Sequence, residues 1–145
     1  MLTFERPKAG QYAELMELMM HEGDYLRDSL RLMQMTQDEF DRLFRTVGQV
    51  FRILIGDQLV GFYWIEQRDN ILHLHGLMLK EQFQGKGIGT QILHKLISEN
   101  HGKVKEIELG VHESNLRAIG LYERNGFDTV TTLPDLKFRI MKKNL

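Results

Sequence analysis

Apolar positions change their spacing along the chain, and each change marks a different kind of element. Residues 2–6 are a short extended stretch that Pro7 closes. Leu15, Leu18 and Met19 then recur at helical spacing within residues 11–22, and Leu26, Leu30 and Met33 repeat that pattern in a second stretch. Thr36 and Glu39 have capping-box spacing, in which each side chain satisfies an amide left open at a helix start. Phe40, Leu43, Phe44 and Val47 supply the buried stripe of that helix, and Gly48 ends it.

In the middle of the chain the period shortens. Residues 50–55 and 59–66 are rich in β-branched and aromatic side chains, and Gly56-Asp57-Gln58 joins them as a hairpin. Arg68-Asp69-Asn70 is a second turn, followed by Ile71, Leu72, Leu74, Leu77 and Leu79 on a third strand. Consecutive strands with short turns predict an antiparallel meander. After Gly85 a glycine-rich turn opens a helix whose apolar face is Ile88, Ile92, Leu93, Leu96 and Ile97, and Asn100-His101-Gly102 stops it. Residues 107–111 read as a strand, 115–125 as a helix ended by Gly126, and Val130 and residues 138–141 as two last strands around Pro134-Asp135.

Composition narrows what such a chain does. A length of 145 residues suits a single domain over residues 1–145, and 42% hydrophobic with 27% charged residues is a globular balance. Nineteen Lys and Arg against 20 Asp and Glu, interspersed, argue against nucleic acid as a partner. The absence of cysteine removes disulfides, thiolate metal sites and a cysteine nucleophile. The start, MLTFERPKAG, has too short an apolar stretch for a signal peptide, and no run approaches the ~18 residues of a membrane span. The expectation is a cytoplasmic protein with no membrane partner.

The chemistry concentrates at Gln84-Gly85-Lys86-Gly87-Ile88-Gly89-Thr90, directly after a strand and opening a helix. Amides at a helix start lack partners and lie at the positive end of the helix dipole, so they attract phosphate. Glycine lets the backbone turn sharply and approach an anion. A tight-packing helix entry would use the same residues. Neither familiar nucleotide motif is present: the glycines are spaced G-x-G-x-G, and no Gly-Lys-Ser/Thr occurs.

The spacing does match another pattern. Gln84 to Gly89 resembles the [QR]-x-x-G-x-[GA] signature of the GCN5-related N-acetyltransferase (GNAT) superfamily, and Leu77-Met78-Leu79 is similar to the end of that family's fourth strand. Leu109-Gly110-Val111, with Asn115 through Tyr122 to Gly126-Phe127, resembles its second signature segment. The resemblance implies an α+β, three-layer fold: a mixed, mostly antiparallel central sheet flanked by helices. It also implies acetyl-CoA as co-substrate, no metal, and direct acetyl transfer to a small-molecule or peptide amine. A non-catalytic acetyl-CoA-binding module of the same fold is the alternative, and homodimers are common in proteins of this kind.

Carried over by resemblance, the backbone of Gln84, Gly85, Lys86, Gly87, Ile88, Gly89 and Thr90 holds the pyrophosphate. Leu77, Met78 and Leu79 pair with the pantetheine arm, and the Leu77 amide polarises the thioester carbonyl. Tyr122 is the general acid to the departing thiolate, and Asn115 bonds the pantetheine; the two lie seven residues apart, about two helical turns. A phenol with a pKa near ~10 stays protonated at pH 7 and donates. For the base, His75 alternates with His73 on the strand leading to Leu77. A water relay, His112 and Glu113 are the other options. Residues 11–46 carry eight acidic residues against four arginines, a balance suited to a cationic acceptor; Asp24, Tyr25 and Asp28 are its candidate contacts. Trp64 is expected in the core or the cleft wall.

Overall fold

The computed structural model describes all residues, Met1–Leu145. Elements follow in the order β1 (Leu2–Glu5), α1 (Gln11–His21), α2 (Tyr25–Met33), α3 (Gln37–Thr46), β2 (Gln49–Ile55), β3 (Gln58–Arg68) and β4 (Ile71–Leu79). A 3-10 turn (Glu81–Phe83) precedes α4 (Ile88–Asn100), β5 (Glu106–His112), α5 (Leu116–Arg124), β6 (Asp128–Leu133) and β7 (Phe138–Asn144). The strands hydrogen-bond in the order β1-β2-β3-β4-β5-β7-β6. Pairings β1/β2, β2/β3, β5/β7 and β6/β7 are antiparallel, and β4/β5 is parallel. This is the mixed, mostly antiparallel sheet with helices that the family resemblance implies. The parallel pair β4/β5 is connected through α4, the kind of crossover that a parallel connection requires. No helix is long and apolar enough to cross a membrane.

The chain divides into two compact units. The first comprises Met1–Ile65 and Gly76–Gln84. Its core is aromatic: Phe44 on α3 meets Trp64 and Phe62 of β3 edge-on at 5.2 and 5.3 Å between centroids. Leu15 and Met19 of α1 are buried in the same cluster. The Trp64 indole donates to the Val47 carbonyl at 2.8 Å, which ends α3 against β3 and places this residue in the core. The Thr36–Glu39 capping box is complete, with both reciprocal bonds made. Arg52, in the middle of β2, is buried and held by Glu5 of β1 and Glu14 of α1.

The second unit comprises Glu66–His75 and Gly85–Leu145. Ile92, Leu93 and Leu96 of α4, Ile107 of β5, Phe127 and Met141 of β7 are its fully buried side chains. Asp69 adopts φ +52°, a left-handed conformation that aspartate tolerates, and lets β3 turn into β4. The apolar pattern predicts α5 from Asn115 to Asn125, but both residues are caps. Asn115 accepts from the Ala118 amide at 3.2 Å, and Asn125 closes the other end.

Candidate active site

The glycine turn has the backbone that an anion site needs. Gly85 and Gly87 sit at φ +74° and +81°, where an L side chain is strained. Gly87 is the N-cap of α4 with no side-chain cap, and the first helical bond runs from the Gln91 amide to its carbonyl at 3.1 Å. The amides of Ile88, Gly89 and Thr90 therefore have no intrahelical acceptor. A Cβ built on Gly87 meets nothing within 4 Å, so the space beside it is open. Gly89 serves another purpose: a Cβ there would lie 2.9 Å from Leu121, so its smallness lets α4 pack on α5.

Two neighbours of the turn have roles that sequence spacing does not disclose. The Gln84 amide already donates to Glu81 O at 3.1 Å, and its side-chain amide donates to Leu79 O at 3.1 Å. Gln84 thus ties the start of the turn to the end of β4. Arg117, on the first turn of α5, brings Nη1 to 3.9 Å from where a Cβ of Gly85 would stand. The only sequence signal for it is its place two residues after the Asn115 cap.

Within β4, burial alternates strictly: Leu77 and Leu79 are half-buried, whereas Met78 faces the core of the first unit. The parallel register with β5 covers Ile71 to Leu74, so Leu77, Met78 and Leu79 lie beyond its last pair. Two glycines let other groups come close to this segment. A Cβ on Gly61 would collide with the Met78 carbonyl, and one on Gly76 would collide with the Tyr25 hydroxyl. Tyr25 of α2 is braced edge-on by Phe62 and Phe40 at 5.6 and 6.4 Å, so its hydroxyl is delivered to the residue before Leu77. Asp24 and Asp28, on the same helix, both face Arg27, at 3.2 and 3.5 Å. The Asp28 carboxylate is the more enclosed, with a side chain 15% exposed against 64%.

Tyr122 is buried, and burial alone pushes its phenol up to about 12. Its position is fixed by the end of α5. Gly126, at φ +89°, donates to Glu123 O at 3.1 Å, and Phe127 donates to Tyr122 O at 3.0 Å. Those two bonds form a Schellman motif, and the accompanying apolar contact is between Tyr122 and Phe127, 5.8 Å between centroids. Asn115 is the N-cap of α5 and not a residue of the helix itself. As N-cap it turns its carbonyl oxygen back to the helix, which leaves its side-chain NH2 as the group for a ligand.

Of the imidazoles, His75 lies 2.8 Å from Glu66 through Nε2, and His73 lies 3.7 Å from Glu108 through Nδ1. Burial, and then the charge of Arg68, holds His73 below the usual histidine range. The Nδ1 of His112 is engaged by the Ser114 hydroxyl at 2.7 Å and the Ser114 amide at 3.2 Å. No group of His, Cys, Asp and Glu side chains with metal-binding geometry occurs.

Comparison with known proteins bears on what this site does. A sequence model described as the acetyltransferase (GNAT) family matches residues 12–127. The chain is 33% identical over 97 residues to a spermine/spermidine N(1)-acetyltransferase of Bacillus subtilis, covering 63% of this chain and 64% of that protein. It is 28% identical over 96 residues to a mycothiol acetyltransferase of Corynebacterium efficiens, covering 65% of this chain and 32% of that one. It therefore spans less than two thirds of the length of either relative. Among solved structures, the PaiA N-acetyltransferase of Thermoplasma acidophilum in complex with coenzyme A superposes with a TM-score of 0.72 at 19% identity, covering 100% and 99% of the two chains.

Proposed function

The chain belongs to the acetyltransferase (GNAT) family, and from that premise we propose that it transfers an acetyl group from acetyl-CoA directly to a primary amine. The observation that carries this reading is the turn at the start of α4, whose glycine backbone leaves helix-start amides facing open space. A diphosphate is the ligand such a terminus accepts. The amides of residues 85–90 hold it, with Lys86 and Arg117 adding charge and Gln84 fixing the loop through Leu79. Leu77, Met78 and Leu79 offer backbone to the pantetheine as an added strand would, and the Asn115 side-chain NH2 bonds it. The amide of Leu77 donates to the thioester oxygen. Such a donor strengthens as negative charge builds there, an effect worth about 3–4 kcal/mol in other enzymes.

Tyr122 supplies the proton for the leaving sulfur. Burial keeps the phenol protonated at neutral pH, so the proton is there to give. The acceptor reads as a cationic amine, small molecule or peptide, met by Asp24, Tyr25 and Asp28 on the acidic α1–α3 segment. The relatives named for polyamine and mycothiol acetylation support an amine of that kind. We place the reaction in the cytoplasm.

The test is calorimetric titration with acetyl-CoA beside desulfo-CoA and ATP, followed by thiol release against an amine panel. Saturable one-to-one binding of acetyl-CoA, with ATP much weaker, is expected, together with release that depends on an amine. Binding without release would leave an acetyl-CoA-binding module. No binding by the folded protein would make the turn a packing device.

A further inference from the structure

Coenzyme A carries acyl chains of many lengths, so the group passed on is the part of such a donor that varies. Resting on the acetyltransferase reading, we propose that Tyr25 of α2 sets that length: its ring walls the acyl slot at Gly76 and restricts the donor to an acetyl group. As a contact for the amine Tyr25 has one task; its place against β4 gives it a second.

Backbone geometry sets the direction in which the acyl chain runs. The Lys80 amide donates to the Val60 carbonyl of β3 at 2.8 Å, and the Met78 carbonyl lies against Gly61 of the same strand. Successive backbone groups of a strand point to opposite edges, so the amides of Leu77 and Leu79 point away from β3. On that edge the Leu79 carbonyl accepts from the Gln84 side chain at 3.1 Å. A donor whose diphosphate lies at the turn that Gln84 opens therefore follows β4 backwards, past Leu79 to the Leu77 amide. An acyl chain whose carbonyl oxygen is bonded at Leu77 continues the same way, towards Gly76.

Gly76 is where that path meets a side chain. A Cβ built there would collide with the Tyr25 hydroxyl and stand 2.7 Å from its Cζ, so the ring fills the volume that any larger residue would need. The ring has little room to leave. Tyr25 is the first residue of α2, and its ring meets Phe62 at 5.6 Å and 74° and Phe40 at 6.4 Å and 72°. Both phenylalanines are fully buried, and a close-packed core does not yield to a ring pushed into it. The strand cannot retreat either, because Gly61 of β3 stands so close that a Cβ there would collide with the Met78 carbonyl.

Such a wall selects by size and is graded. The hydroxyl is the atom nearest the strand, with Cζ and Cε1 of the ring behind it at 2.7 and 3.0 Å from the Cβ position. Removing the oxygen frees the space of one heavy atom, and removing the ring frees several. A chain one methylene too long for a site that does not yield loses about 10–200-fold in kcat/KM.

The experiment uses the whole protein, with acetyl-, propionyl- and butyryl-CoA as donors. The amine is whichever gives the wild type its fastest thiol release from acetyl-CoA in a panel of polyamines, amino sugars and short peptides. The quantity read is the ratio of kcat/KM between donors, from which an effect on the shared amine cancels. In the wild type kcat/KM is expected to fall at least about tenfold from acetyl to propionyl and about 100-fold to butyryl. Tyr25→Phe should raise the propionyl-to-acetyl ratio about 3–10-fold. Tyr25→Leu, which keeps an apolar side chain against Phe40 and Phe62, should raise the butyryl-to-acetyl ratio at least about 30-fold. Adding Gly76→Ala to Tyr25→Leu puts a methyl back where the hydroxyl stood and should reverse most of that gain. Asp28→Asn, on the same helix, should leave both ratios within about twofold. Wild-type use of butyryl-CoA on a par with acetyl-CoA, or ratios unmoved in both Tyr25 variants, overturns the proposal and leaves the transferase reading standing. No thiol release from the wild type with any donor and amine would instead overturn the acetyltransferase reading, and the wall with it.

Discussion

The two compact units differ in the kind of groups they present. In the second, the groups that matter are mostly backbone: amides at the start of α4, two left-handed glycines, and a helix end that sets Tyr122. In the first, α1 to α3 offer side chains, Tyr25 and Asp28 among them, on helices whose remaining faces are an aromatic core. Backbone recognition suits a ligand that never varies, because main-chain donors do not change when side chains mutate. Side-chain recognition suits a ligand that differs from protein to protein. Under the proposed function, the glycine turn answers to the donor and α2 to the acceptor.

Substitutions can break or sharpen that division. The largest effect is expected from Gly87→Glu, which puts a like charge beside the diphosphate at a left-handed position. Acetyl-CoA affinity should drop at least about 100-fold by calorimetry, whatever the amine. Retained binding would remove the turn from the donor site. Next is Tyr122→Phe, which should lower turnover at least about tenfold with acetyl-CoA affinity within about threefold. The same variant has a signature in stability. With the folded phenol near 12 and the unfolded one near 10, its burial is free of penalty below pH 10 and loses about 3 kcal/mol as pH rises through 12. Denaturant midpoints of wild type and Tyr122→Phe should therefore diverge only above pH 10, the wild type falling faster. The smallest effect belongs to α2: Asp28→Asn should raise KM for a cationic amine about 3–10-fold and leave KM for acetyl-CoA unchanged. A matched change in both constants would erase the division between the units.

Local chemistry explains which features could be read from the chain. The Thr36–Glu39 box, the glycine turn and the Asn125-Gly126-Phe127 helix end each complete themselves within a few residues, so their spacing is their signature. Arg52 is the opposite case. A charge inside a strand reads as solvent-facing, and its partners Glu5 and Glu14 lie 47 and 38 residues away. Glu66 and His75 are only nine residues apart, but their pairing depends on the register set by the Asp69 turn, which composition does not specify. The apolar pattern puts Asn115 inside α5 and not at its cap, because an N-cap and a first helical residue have the same apolar neighbours downstream. The Glu81–Phe83 turn, three residues long, has no periodicity to detect.

The strand order has a further consequence, for how the protein is made. The last strand in the chain, β7, does not add to an edge; it lies between β5 and β6. A ribosome that has delivered everything through β6 has produced an open slot in the sheet, with β6 lacking its neighbour and β5 exposing one side. Phe138 and Met141, both buried, arrive only with β7. The second unit therefore closes only once residues 138–144 are made, and a stop codon placed before Phe138 removes an interior plank and not a fringe. Such an unfinished sheet, with unpaired strands on either side of the gap, is also the species most exposed to pairing with another nascent chain.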